Sequence, residues 1–172
     1  MVRAVAAPVA AERVWAALGR VADPEIPVLT VLDLGIVHEV NVAGDAIDVV
    51  ITPTYSGCPA THVIEEAIRR ALAEAGFAHA RVRTSLSPAW TTDWMSPAGK
   101  ERLRKFGIAP PGLRATGSPA PVRFFRAAPA KVACPHCGSA DTERLAEFGS
   151  TACKALYRCR ECREPFDYFK PI

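Results

Sequence analysis

The chain has 172 residues, 49% of them apolar, and its 21 Lys and Arg against 18 Asp and Glu leave a formal net charge of +3. That balance excludes a disordered chain and fits one ordinary domain, or a domain of roughly 100 residues followed by a small stapled module. The opening MVRAVAAPVA lacks the apolar core of a signal peptide, no stretch holds 18 uninterrupted apolar residues, and the small basic excess contains no Lys/Arg run interleaved with aromatics. A cytoplasmic protein without membrane or nucleic-acid binding is the expectation.

Val14, Leu18 and Val21 recur at helical spacing beside Trp15, which predicts an amphipathic helix over residues 10–21, stopped by Pro24 and Pro27. Residues 36–42 and 46–52 read as strands joined by a turn at Ala43-Gly44-Asp45, with Ile47, Val49 and Ile51 sharing one face. A helix is predicted over residues 60–75, its apolar stripe built from Val63, Ile64, Ala67, Ile68, Ala71 and Leu72, with Gly76 suited to the C-terminal cap. Residues 80–84 supply a third strand. Strand, helix and strand in that order predict a crossover, hence a small mixed sheet with helices against it. Ser96-Pro97 then opens another helix that carries Leu103 and Phe106 inward before Gly107.

Between Ile108 and Ala130 five prolines and two glycines surround a short strand at residues 122–126, a composition that reads as a semi-rigid linker. The expected organisation is therefore an α+β domain over residues 1–107, a linker over 108–130 and a four-cysteine β-hairpin module over 131–172.

That module carries Cys134-Pro135-His136-Cys137 and Cys159-Arg160-Glu161-Cys162, two C-x-x-C pairs with 21 residues between the inner cysteines. Each pair places two thiolates on one ion, and the intervening chain is long enough for a hairpin to bring the pairs together. Four sulfur ligands in a closed tetrahedron suit structural zinc in a zinc-ribbon-like module; the spacing leaves rubredoxin-type iron as the alternative. The metal replaces much of the core that about 40 residues cannot build. Leu156, Tyr157, Phe166, Tyr168 and Phe169 are read as filling the mini-core, with an aromatic docking surface as the other reading. His136 is read as a bystander inside the first pair, and Cys153, with no partner at metal-ligand spacing, as a spare thiol.

Cys58 is different in kind. It follows a strand and a Ser56-Gly57 turn and precedes a helix, where free N–H groups favour an anion and thereby a nucleophilic or metal-binding thiolate. His38 and His62 are the candidate bases beside it, each more simply read as a solvated surface histidine. Asp23, Glu25 and Asp33 lie in turns and are assigned mainly to capping and partner recognition.

Three segments, Asp23-Pro24-Glu25-Ile26-Pro27, Asp33-Leu34-Gly35-Ile36-Val37 and Pro53-Thr54-Tyr55-Ser56-Gly57-Cys58-Pro59, resemble the iron–sulfur cluster assembly family related to the SufT proteins. With Trp90-Thr91-Thr92-Asp93-Trp94-Met95 and the ending Cys159-Arg160-Glu161-Cys162-Arg163-Glu164-Pro165-Phe166, essentially the whole chain is similar to the PaaD family associated with phenylacetyl-CoA epoxidase. The resemblance implies an accessory part in aerobic bacterial phenylacetate degradation. The chain lacks the paired ExxH ligands of a di-iron catalytic subunit and the nucleotide fingerprint of a reductase, so a non-catalytic component is expected. In this resemblance Cys58 matches the family cysteine associated with iron–sulfur transfer, and Asp23 and Glu25 match its acidic motif. One thiolate per chain implies a cluster held transiently, its remaining ligands coming from a homodimer or a client. The implied partners are the phenylacetyl-CoA oxygenase or its iron–sulfur reductase component, which the four-cysteine extension is suited to dock. A purely structural scaffold for that complex is the alternative.

Overall fold

The computed structural model describes residues 6–43, 46–112 and 131–172. They fall into two compact units, Met1–Arg102 with Ile172, and Leu103–Pro171. The fold is α+β, as the hydrophobic periodicities predict.

In the first unit, α1 (Ala6–Leu18) is followed by β1 (Val37–Ala43) and β2 (Ala46–Ile51), then α2 (Ala60–Glu74), β3 (Arg81–Thr84) and the start of α3 (Pro97–Lys105). The sheet order is β1-β2-β3, antiparallel between β1 and β2 and parallel between β2 and β3. β2 is central because its run of β-branched residues suits a strand paired on both sides: Ile47, Val49, Val50 and Ile51 are all buried. The core closes with Val14, Ala17 and Leu18 from α1 and Ile64, Ile68 and Leu72 from α2.

The structure corrects three expectations here. α1 ends at Leu18, and Val21 is buried from the turn that follows instead. The buried stripe of α2 is narrower than its sequence suggests, because Val63 is 50% exposed. Phe106 faces outward as well, whereas Leu103 is fully buried. The last two share a cause: a single apolar residue at the margin of a helical stripe is buried only where a neighbour covers it, and periodicity carries no information about neighbours. Gly76 does take a left-handed conformation just beyond the end of α2, with φ +92.

In the second unit, β4 (Ile108–Ala109), β5 (Thr142–Ala146), β6 (Lys154–Cys159) and β7 (Pro165–Phe169) form one sheet in the order β4-β7-β6-β5. Ile108 and Ala109, expected to open the linker, instead pair in parallel with Asp167 and Tyr168. The pattern gave no sign of this because two residues are too few to show a period. The rest of the expected linker and its strand at residues 122–126 lie outside the described residues, as do Gly44 and Asp45 of the first turn.

Tyr157, Phe166 and Tyr168 are buried with Val132 and Ala155 in a small core, Tyr157 stacking on Phe166 at 5.9 Å and meeting Tyr168 edge-on at 5.5 Å. The mini-core reading of these aromatics is therefore the observed one. No helix among the described residues is long and apolar enough to cross a membrane.

Candidate metal centre and cysteine turn

β6 ends on Cys159 and the turn to β7 carries Cys162, while the chain entering β5 carries Cys134 and Cys137. Antiparallel pairing of β5 with β6 sets Thr142 opposite Cys159, which brings the two C-x-x-C turns face to face. The four sulfurs lie within 4.8 Å of one another, with Cys134 to Cys162 at 3.7 Å and Cys137 to Cys159 at 3.5 Å. A tetrahedron of Zn–S bonds about 2.3 Å long has sulfur–sulfur edges of about 3.8 Å. The four side chains therefore fit one tetrahedral ion. A multinuclear cluster places several metals between its cysteine sulfurs and needs them farther apart.

The turns also supply N–H donors to sulfur. The backbone N–H of Cys162, joined by that of Glu161, holds the Cys159 thiol down to about 7 against the opposing effect of burial. The N–H of Glu164 acts on Cys162 in the same direction, yet burial and the three neighbouring sulfurs together push that thiol up to about 12. The physical content is simple: four sulfurs this close do not all carry negative charge unless a cation lies among them.

The two turns share one backbone shape. The residue after each outer cysteine is left-handed, Gly138 at φ +79 and Arg163 at φ +63. Cys134 and Cys159 are buried while Cys137 and Cys162 are exposed, so each pair contributes one inner and one outer sulfur. His136 is exposed and is not among the clustered ligand atoms. Cys153 is buried, its sulfur 3.0 Å from the Thr151 hydroxyl, and stands apart from the four.

In the first unit Cys58 is half-buried in the turn between β2 and α2. It lies one residue before the N-cap Pro59, rather than on the first turn of α2, and its carbonyl accepts from the N–H of Thr61 at 3.3 Å. His62 is turned to Glu66 at 3.3 Å and is largely solvated, and His38 stacks on Trp94 at 5.1 Å. The structure thus gives both histidines surface roles and does not pair either with Cys58.

Asp23 is a buried cap: its Oδ1 accepts from the N–H groups of Glu25 at 2.8 Å and Ile26 at 2.7 Å. Glu25 is exposed. Among the described residues the four clustered cysteines are the group of His, Cys, Asp or Glu side chains able to hold an ion, so Asp23 and Glu25 do not converge on Cys58 as ligands.

Sequence reasoning missed a latch on the Asp33-Leu34-Gly35 turn. Asp33 accepts from the Thr30 N–H at 3.0 Å, the Thr30 hydroxyl at 2.9 Å, the Ser96 hydroxyl at 3.0 Å and the Arg102 guanidinium. The Trp90 indole N–H donates to the Leu34 carbonyl at 3.0 Å. Ser96 also caps α3, accepting from the Gly99 N–H at 2.8 Å. That cap is legible in Ser96-Pro97; its bond to a carboxylate 63 residues away has no local signal.

Burial opposes the Asp33 charge, but the hydrogen bonds from Thr30 and Ser96 and the Arg102 guanidinium together hold its carboxyl below the ordinary value of 3.8. Its contribution to stability is therefore complete above that value and is lost as pH falls through the depressed folded value. Asp33→Asn turns an amide N–H toward a nest of donors and is expected to cost about 2 kcal/mol at neutral pH, with the loss shrinking below pH 4. Urea unfolding of both proteins across pH 3–7 checks it; parallel stability curves would contradict it.

Residues 11–82 match the model of the iron–sulfur cluster assembly protein family, and residues 118–170 match that of the PaaD zinc beta ribbon domain. A protein of Escherichia coli described as a subunit of a 1,2-phenylacetyl-CoA epoxidase is 50% identical over 98% of both chains. The iron–sulfur protein maturation auxiliary factor YitW of Bacillus subtilis is 33% identical over 54% of this chain and 91% of its own. A crystal structure of a domain of unknown function from Bacillus anthracis covers 59% of this chain and 97% of that one, with TM-score 0.54 and 24% identity, a likeness of fold. Fold and sulfur cluster define an assembly-type α+β domain joined to a four-cysteine β-ribbon. The chain belongs to the PaaD family, as its full-length similarity to the Escherichia coli protein shows.

Proposed function

We propose that this protein is a non-catalytic accessory subunit of a phenylacetyl-CoA epoxidase system, and that it assists iron–sulfur cluster assembly or transfer to the oxygenase or its reductase component through Cys58. The observation that carries the reading is end-to-end similarity to an epoxidase subunit, combined with an assembly-type domain whose half-buried cysteine stands in an open turn. A cluster is the cargo here: one thiolate holds it weakly, and a second copy or the client completes its ligands. Asp23 shapes the loop through its backbone caps, and exposed Glu25 is available to a partner.

The reading assigns residues 1–107 to the assembly domain and residues 131–172 to a metal module, with Cys134, Cys137, Cys159 and Cys162 holding a structural Zn2+. Zinc suits a closed tetrathiolate shell because it has no redox chemistry and no preferred geometry beyond the tetrahedron the sulfurs already make. The protein then works in the cytoplasm.

The test is anaerobic reconstitution of wild type and Cys58→Ala with iron and sulfide, followed by transfer to the apo reductase component, with zinc assayed in parallel. Cys58→Ala is expected to lose transfer by at least tenfold while keeping its zinc, about 1.4 kcal/mol or more in barrier terms. Equal transfer by both proteins would overturn the carrier reading and leave the docking scaffold.

A further inference from the structure

The four sulfurs of the metal centre are not equivalent, and the difference defines a modification site. Cys134 and Cys159 are 2% and 0% exposed, inside the small core. Cys137 and Cys162 face solvent. Solvent reaches the outer sulfurs and not the inner ones, so Cys137 and Cys162 are the pair an oxidant can reach. They lie within 4.8 Å of each other, on opposite turns.

We propose that the outer pair, Cys137 and Cys162, is a peroxide-sensitive site whose oxidation to a disulfide ejects the metal and releases the ribbon fold. This rests on the assignment of a zinc ion to the four cysteines.

Hydrogen peroxide is the oxidant. The Cys137 thiolate attacks one peroxide oxygen, the O–O bond breaks, and a sulfenic acid forms as hydroxide leaves and takes a proton to become water. The Cys162 thiolate then attacks the sulfenyl sulfur, the S–S bond forms and a second hydroxide leaves. Two thiolates have lost two electrons to one peroxide. The ion keeps two thiolates, too few to hold it, and departs as Zn2+ without changing its oxidation state.

The bridge joins the two turns that the ion had joined, so the chain stays cross-linked and a dithiol reductant with added zinc restores the site. Cys153, 5% exposed under its own hairpin, takes no part. Burial places it out of reach of the oxidant.

The test begins with the full chain and its zinc content, since absence of bound zinc would overturn the metal assignment and this proposal with it. The zinc-loaded protein is then titrated with hydrogen peroxide while released metal is followed with a chromogenic chelator and cysteines are mapped by differential alkylation and peptide mass spectrometry. The expected result is one zinc released per Cys137–Cys162 disulfide, with Cys153 still reduced, and full recovery with dithiothreitol and zinc.

Brief iodoacetamide treatment of the zinc-loaded wild type gives an independent readout that needs no variant: Cys137 and Cys162 are alkylated ahead of Cys134, Cys153 and Cys159. A first disulfide involving Cys134 or Cys159, or zinc that stays bound after Cys137 and Cys162 have oxidised, would overturn the site assignment; oxidation of Cys58, which is outside the sulfur cluster, does not.

Discussion

Cys159→Ser is expected to abolish zinc retention and unfold the C-terminal unit, while the N-terminal unit keeps its helical signal. Cys159 is fully buried at the end of β6 and belongs, with Cys134, to the same cluster of buried residues as Tyr157, Phe166 and Tyr168. Core and sulfur cluster are one object here. A structural zinc contributes about 10–16 kcal/mol to the folding of so small a module. Whole domains are stable by only about 5–15 kcal/mol. A serine oxygen in place of the thiolate loses the soft ligand and leaves a buried hydroxyl under the N–H groups that had served the sulfur.

The comparison that makes the measurement specific is Cys153→Ser. That thiol is also buried, yet it is outside the sulfur cluster, so its replacement costs only local packing, about 1–3 kcal/mol, with zinc retained. Metal analysis beside limited proteolysis of the C-terminal unit reads both. A folded, zinc-loaded Cys159→Ser would contradict the four-thiolate centre.

Gly35→Ala carries the second large effect, in the other unit. Gly35 is left-handed at φ +67, and a Cβ built on it would press into the Trp94 carbonyl oxygen and stand 2.7 Å from the Trp94 Cβ. The conformation alone costs a side chain about 1–2 kcal/mol. Displacing a packed backbone adds about 1–3 kcal/mol. Trp94 has little freedom to yield, because Ser96 two residues later is bound to Asp33 and Trp90 four residues earlier is bound to the Leu34 carbonyl.

A loss of about 2–5 kcal/mol is therefore expected, read as a lower urea midpoint in tryptophan fluorescence. Gly57→Ala is the internal comparison: it has open space around it and no positive φ, so a change within about 0.5 kcal/mol is expected there. Equal losses at both glycines would refute the close-approach argument.

What was legible from the residues, and what was not, divides along the reach of the interaction. The helices and strands of the first unit follow from periodic burial within a dozen residues, and the parallel pairing of β2 and β3 follows from the crossover between them. The convergence of the four sulfurs is legible for a similar reason, since each C-x-x-C turn can offer two thiolates to one shared ion whatever lies between. Asp23 reads as a cap because its partners are two and three residues away.

The errors lie where a long-range neighbour decides. Val63 sits on the apolar stripe yet is half exposed, and Phe106 faces outward beside a fully buried Leu103. β4 exists because Ile108 and Ala109 find β7 more than fifty residues away.

By itself, then, the sequence determined the α+β class, the helices and strands of the first unit and the two C-x-x-C pairs whose sulfurs converge. These depend on residue type and local spacing, which act before the chain folds. Only the tertiary structure decided that Asp33, Leu34 and Gly35 are latched by Trp90, Trp94, Ser96 and Arg102, and that one sulfur of each C-x-x-C pair is buried and the other open. Such facts are set by which distant segments exclude water from one another, and no local pattern of residues records that.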